Sequence, residues 1–321
     1  MTTIDAPTAT KLPVLEDEVA SIASALQATA PDYDRSGALD VGTFERLRAA
    51  GVTAALVPSE FGGSAATHAE MGEILRVLGA SDPAVAVTLA MHSHLVATQL
   101  WRHRHGMDAE AFLRKVGAGA IAVSTGASDW IASNGSATRV DGGFRVSARK
   151  APASGCEVGD ILITSIHYDD VEPKVIHCAI PFSAEGLRIE RTWDTLGLRA
   201  TGSHTVVLDD VFVPDAAVSL VRSATQWHPV WSTVIGAAMP LVMAAYVGIA
   251  DSAVETAIEL AHGRGDDHAH QLAGEMINAY TTGADAVRAM FLDADDLRFD
   301  NTEELAARML SRKTVATDAL I

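Results

Sequence analysis

Residues 193–214 read WDTLGLRATGSHTVVLDDVFVP. The first half is a polar loop carrying Trp193, Asp194, Gly197, Arg199, Thr201, Gly202, Ser203 and His204. The second half is rich in Val, Leu and Phe and stops at Pro214, which predicts a strand over 205–213. Hydroxyls in such a lead-in either satisfy the backbone of a long turn or hold a ligand, and spacing alone leaves both readings open. Outward from this block the apolar period changes twice. Residues before Gly117 have helical spacing, residues 119–214 form short strand-like runs, and residues after Pro229 are helical again.

The composition bounds what such a chain can do. With 321 residues, 48% of them hydrophobic and 20% charged, the chain can bury a large core and reach two or three domains. A net charge of −17 disfavours a nucleic-acid partner, which requires a basic face, and an anionic membrane surface. Cys156 and Cys178 are too few for a disulfide scaffold. The start MTTIDAPTATKLP lacks the cationic and apolar regions of a secretory signal. The apolar segment 234–250 contains Pro240 and Tyr246 and falls short of a membrane span. A soluble, cytoplasmic protein is the expectation.

Along the chain, helices are expected at 14–29, 41–50 behind Asp40, 68–78 behind Ser64 or Thr67, 83–105 and 108–116, with a loop at 31–37. His92, His94, His103 and His105 on the fourth helix lack the i,i+4 spacing of zinc ligands, so no metal is expected. SATRV, DGG and FRVSARK predict a hairpin, and DILITSIHY, KVIHCAIPF and GLRIERTW predict further strands of a small antiparallel barrel or sandwich. After Pro229, a helix apolar nearly all round is expected at 240–262, a surface loop at 263–270, and helices at 271–293 and 302–321.

Four stretches carry chemistry: LVPSEFGG (56–63), AVSTGASDW (122–130), DGGFRVSARKAPASG (141–155) and the opening block. In this order they resemble the acyl-CoA dehydrogenase superfamily of flavoproteins, and the resemblance covers nearly the whole chain from about residue 15. It implies an α+β multidomain fold. The parts are an all-α N-terminal domain (1–117), a middle antiparallel β-barrel domain (118–226) and an up-down C-terminal helical bundle (227–321) that looks incomplete with three helices. Residues 123–129 look like the family's Thr-Glu-Pro-x-Ala-Gly-Ser-Asp segment shortened by two. That likeness implies that Val123 and Ser124 hold the flavin and that Ser128 and Asp129 face the substrate. In KAPASG (150–155), Ser154 stands where the family's flavin-bonding hydroxyl stands, and Pro152 replaces the flanking aromatic residue, with Trp130 and Trp193 as substitutes. His92, Trp193, Arg199 and Ser203 are supporting candidates, Arg199, Thr201 and Ser203 mainly as buttresses of the loop; His92 or His204 could serve a monooxygenase pocket.

The dehydrogenase reaction needs a carboxylate to take the proton α to the thioester. One of the two places the family uses falls at about Ala238, which cannot act as a base, with Met239 replacing a common Arg; the other lies past residue 321. The family's Arg-x-x-Phe-Gly stretch is replaced by HGRGDD (262–267), which leaves FMN or reduced flavin open beside FAD. The resemblance therefore implies an FAD-dependent acyl-CoA dehydrogenase-type oxidoreductase acting on a thioester, served by an electron-transfer flavoprotein. The alternatives are a two-component flavin monooxygenase on a small hydrophobic or aromatic substrate, served by a flavin reductase, and a catalytically inactive paralogue. A homotetramer or homodimer is expected.

Overall fold

The computed structural model describes residues 12–125 and 129–321. The N-terminal helices are α1 (Leu12–Ser36), α2 (Val41–Ala49), α3 (His68–Ser81), α4 (Pro83–Arg104) and α5 (Glu110–Gly117). Local capping chemistry fixes where three of them begin. Asp40 accepts from the Thr43 amide at 3.0 Å and starts α2. Thr67 and Glu70 form a reciprocal capping box at α3, and Asp82 accepts from the Ala84 amide at 2.8 Å with Pro83 opening α4. The loop expected at 31–37 is corrected: α1 runs through Pro31 to Ser36, its apolar face buried through Leu15, Val19, Ile22 and Leu26. A proline removes one helical hydrogen bond, and the packing of that face sustains the helix across the gap.

The middle part is one eight-stranded sheet. Its strands are β1 (Ala122–Ser124), β2 (Ser136–Val140), β3 (Gly143–Ala153), β4 (Ile161–Tyr168), β5 (Lys174–Pro181), β6 (Leu187–Glu190), β7 (His204–Pro214) and β8 (Val218–Ser223). The order is β6-β7-β3-β2-β4-β5-β8, with β1 beside β4. The expected antiparallel barrel is corrected here. Among the described residues the sheet is open and mixed, since β1 and β2 both meet β4 in parallel, the latter through the single pair Ala137–Tyr168. The reason is connectivity. The β2–β3 hairpin stands between β1 and β4 in sequence, so β4 returns in the direction of β1 by a crossover rather than a turn. The strand β8 has no counterpart in the sequence reading.

The C-terminal helices are α6 (Val230–Arg264), α7 (Asp267–Ala294) and α8 (Glu303–Leu320). Two further expectations are corrected. Helix α6 begins at Val230 and contains Pro240 in its interior, and the break expected over 263–270 shrinks to Gly265, at φ 65°, and the N-cap Asp266. His268 and His270 therefore lie on α7. The most apolar window of α6 is 72% buried, which makes it a core helix. One apolar cluster joins α1–α4 with α6–α8, and a second lies within the sheet. Where α3 crosses α6 the backbones touch: a Cβ on Gly248 would overlap the Arg76 carbonyl.

Candidate active site at the junction of sheet and helices

Burying a lysine on a sheet face requires a counter-charge. Lys150 of β3 is 1% exposed, and its Nζ donates to Asp129 Oδ2 at 2.9 Å. The same oxygen accepts from Ser133 Oγ at 2.9 Å and from Ser165 Oγ of β4 at 2.8 Å. Burial pushes the Asp129 carboxyl up, but the Lys150 ammonium and these hydrogen bonds outweigh it and hold it below the usual carboxylate range. Arg222 of β8, also buried, donates Nη2 to the Asp129 carbonyl at 2.7 Å and Nη1 to the Ile131 carbonyl. Its Nε donates to His177 Nε2 of β5 at 2.9 Å. The Trp231 ring at the start of α6 lies 5.3 Å from the Arg222 guanidinium and 5.7 Å from the His177 ring, and packs edge-on against Trp130 at 4.9 Å.

Above this network lies a cavity of about 120 Å³ walled by α4, β1, β4, β5 and the start of α6. Its wall includes His94, Thr98, Ser124, Thr125, Thr164, Ser165, His177 and Trp231. A second cavity of about 540 Å³ adjoins it and shares Gln99, Arg102, Ile163 and Ser219. Among the described residues, no Asp or Glu lines the smaller cavity. Two of its wall residues, Arg102 and Trp231, carry a buried N–H (Nε and Nε1) without a partner among the described residues. Such a donor costs about 1–3 kcal/mol when left unpaired, so a ligand that accepts a hydrogen bond suits this wall.

Both wall histidines are neutral. Burial pushes His94 down to about 4, and burial with the adjacent Arg222 charge pushes His177 down to about 3. His94 Nδ1 lies 3.3 Å from the Ala90 carbonyl, which can only accept, so Nδ1 carries the proton. His177 is the reverse case in effect: its Nε2 accepts from Arg222, so its proton also sits on Nδ1, the nitrogen left unengaged.

The residues named from sequence are distributed unevenly around this site. Ser124 lines the smaller cavity, and Thr125 beside it bonds Thr164 at 2.7 Å. Val123 is buried in β1, Asp129 lies beneath the wall in the ion pair, and Ser128 lies outside the described residues. Ser154, near the end of β3, bonds Ser203 at 2.8 Å, which bonds Thr201 at 2.6 Å; Pro152 is exposed. Trp193 and Arg199 brace the opening loop: the indole donates to the Leu198 carbonyl at 3.0 Å and the guanidinium to Asp34 O at 2.9 Å. His204 accepts from the Trp193 amide at 3.1 Å. His92 does not line the cavity. Its Nε2 donates to Thr53 O at 2.8 Å and its Nδ1 accepts from the Ala122 amide at 3.0 Å, so it fastens β1 to α4.

Sequence reasoning missed His94, Lys150, His177, Arg222 and Trp231. A signal existed for the first. His94, Thr98 and Arg102 recur at one face of α4 and all line the cavity. Lys150, His177 and Arg222 meet through strand register and Trp231 reaches them from the start of α6, long-range neighbours that a single sequence does not display.

Comparison with known proteins agrees with this architecture. Residues 14–120 match the family described as acyl-CoA dehydrogenase, N-terminal domain. The amino sugar nitrososynthase DnmZ of Streptomyces peucetius is 29% identical over 306 residues, covering 88% of this chain and 73% of that protein. The putative acyl-CoA dehydrogenase YdbM of Bacillus subtilis is 26% identical over 259 residues, covering 76% of this chain and 65% of its own. KijD3, solved in complex with FMN and dTDP-3-amino-2,3,6-trideoxy-4-keto-3-methyl-D-glucose, superposes with a TM-score of 0.83 at 25% identity, covering 98% of this chain and 81% of that one. Residues 14–120 thus match the acyl-CoA dehydrogenase N-terminal domain, and the helical, sheet and helical parts in this order give the chain an acyl-CoA dehydrogenase-like fold, similar to that of flavoprotein relatives.

Proposed function

We propose that the chain is a flavin-dependent oxygenase that receives reduced flavin from a separate reductase and oxidises a small substrate in the cavity between the sheet, α4 and α6. The observation that carries this reading is the wall of the smaller cavity: neutral imidazoles, hydroxyls and an indole, with no carboxylate among the described residues that line it, Asp108 standing only in the adjoining larger one. Taking a proton α to a thioester requires a base of that kind, and of the two places where the family can keep one, the one on α6 falls at about Ala238, 4% exposed. Oxygenation of an electron-rich substrate has no such requirement. The similarity to a nitrososynthase supports the same reading, since a nitroso group is made by adding oxygen to nitrogen.

The residues fit a flavin. The unpartnered Arg102 Nε, shared by the two cavities, and the hydroxyls of Ser124 and Thr125 offer a donor and acceptors of the kind a flavin's polar edge uses, which leaves His94, His177 and the apolar wall of the smaller cavity to the substrate. Together the two adjoining cavities fall within the range of cofactor pockets, about 300–1,000 Å³. Ser124 on β1 would hold the ring by its hydroxyl, whereas Val123, Pro152 and Ser154 line neither cavity. Bound reduced flavin supplies the electrons that activate dioxygen. FMN and FAD both satisfy these residues.

The second reading is the acyl-CoA dehydrogenase, favoured by the family match and by the similarity to YdbM. An anaerobic titration of the flavin-loaded protein with octanoyl-CoA separates the two. An oxygenase leaves the oxidised flavin spectrum unbleached, and bleaching would establish the dehydrogenase instead. A protein that takes up neither oxidised nor reduced flavin would be the inactive paralogue.

A further inference from the structure

The two wall histidines present opposite faces to a ligand. His94 donates Nδ1–H to its own helix at Ala90, which leaves the Nε2 lone pair. Arg222 occupies Nε2 of His177, which leaves an Nδ1–H. Neither remaining nitrogen is engaged by a described residue, and both rings line the same small cavity. The two polarities are locked for different reasons. The carbonyl of Ala90 cannot donate, and a guanidinium stays charged at every physiological pH. The groups packed around them hold the same state. Arg222, His228 and Lys150 oppose a positive His177, Asp129 favours one without prevailing, and His92 beside His94 is itself neutral and tied to the backbone.

We propose that this pair reads one polar group of the substrate, a neutral hydroxyl or amine on a small and otherwise apolar molecule, which donates to His94 Nε2 and accepts from His177 Nδ1–H. The inference rests on the cavity being the substrate site of the oxygenase described above. The competing groups fail on one side each. A carboxylate would face the His94 lone pair. An ammonium would face the His177 N–H with the Arg222 guanidinium behind it. An ether accepts but cannot donate, so it leaves the His94 lone pair unpaired in the half-buried wall. Arg222 is a positioning residue in this scheme, since it fixes which nitrogen of His177 carries the proton. The remaining wall, Leu95, Ile163, Leu220, Val230 and Val234, suits an apolar body.

The test is a calorimetric titration of the FMN-loaded full chain with phenol, anisole and benzoate. Phenol is expected to bind tighter than either of the others by about tenfold to a hundredfold, the range set by one unpaired buried polar group. In His94→Phe and His177→Phe the preference for phenol over anisole is expected to fall to within about twofold, with FMN still bound and the melting temperature retained. His94→Gln, whose amide oxygen still accepts, keeps the preference and serves if the phenylalanine variants unfold. Equal binding of phenol and anisole by the native protein, no binding of phenol, or a preference that survives both phenylalanine variants would overturn the proposal. Selectivity in binding without any oxygenated product would leave it standing and remove the oxygenase reading, so the two failures are distinct.

Discussion

At Asp129 one carboxylate oxygen answers three donors, Lys150, Ser133 and Ser165, while the backbone of the same residue is held by Arg222. Removing one member of a buried pair costs more than the pair contributes, because the other charge is stranded. Asp129→Asn is therefore expected to lower the unfolding free energy by about 3–5 kcal/mol, read from urea midpoints. The double variant Asp129→Asn, Lys150→Met should recover most of that loss. A single-variant effect below about 1 kcal/mol would show that the ammonium finds another partner. At this scale the sequence was legible only in part. Ser124 and Asp129 stand out through the family segment around residues 123–129, and His94 could have been found from its spacing to Thr98 and Arg102. Lys150, Ser165, His177 and Arg222 come from four different strands, and only strand order and register bring them together.

Among the elements, α6 organises the helical core. It packs against α3, α4, α7 and α8 and brings Trp231 to the cavity. Its contact with α3 depends on the missing side chain of Gly248, where a Cβ would overlap the Arg76 carbonyl. Gly248→Ala removes a helix-weakening residue and gains propensity, yet overpacking decides the sign. A net destabilisation of about 1–3 kcal/mol is expected in chemical denaturation, and a stabilised variant would contradict this packing. Helix starts were legible at Asp40, at Thr67 with Ser64 as the alternative, and at Pro83; the Glu70 half of the capping box and the Asp82 cap emerge only in the structure. Prolines misled the reading in opposite places. Pro31 and Pro240 look like breaks, and tertiary packing carries both helices through them. The sheet was legible strand by strand except for β8, but its parallel junctions at β4 depend on long-range pairing.

Across the whole molecule, buried His68 and the half-buried His94 and His177 shape the response to acid. His68 and His94 are pushed down to about 4 and His177 to about 3, in each case chiefly by burial, from 6.5. The unfolded chain therefore binds protons at a higher pH than the folded one, and stability falls as pH falls through this interval. The stability they confer is complete above about 6.5 and is lost progressively down to about 4. For buried His68 and half-buried His94 the loss is on the order of 3 kcal/mol each. The melting temperature is expected to drop steadily between about pH 7 and pH 5, and a flat profile there would show that these rings are hydrated and titrate normally. The same neutrality matters for function, because it keeps both cavity histidines in one protonation state throughout the working range.

The central claim is that the cavity supports oxygenation rather than thioester dehydrogenation, and isotopically heavy dioxygen tests it most directly. The protein would be mixed with photoreduced FMN under heavy dioxygen and a panel of small phenols and amines, and the products read by mass spectrometry. An oxygenase transfers the heavy label into at least one product, and the label disappears when the protein is omitted. Reoxidation of the flavin with no label in any product, together with bleaching of the oxidised enzyme by an acyl-CoA under anaerobic conditions, would contradict it.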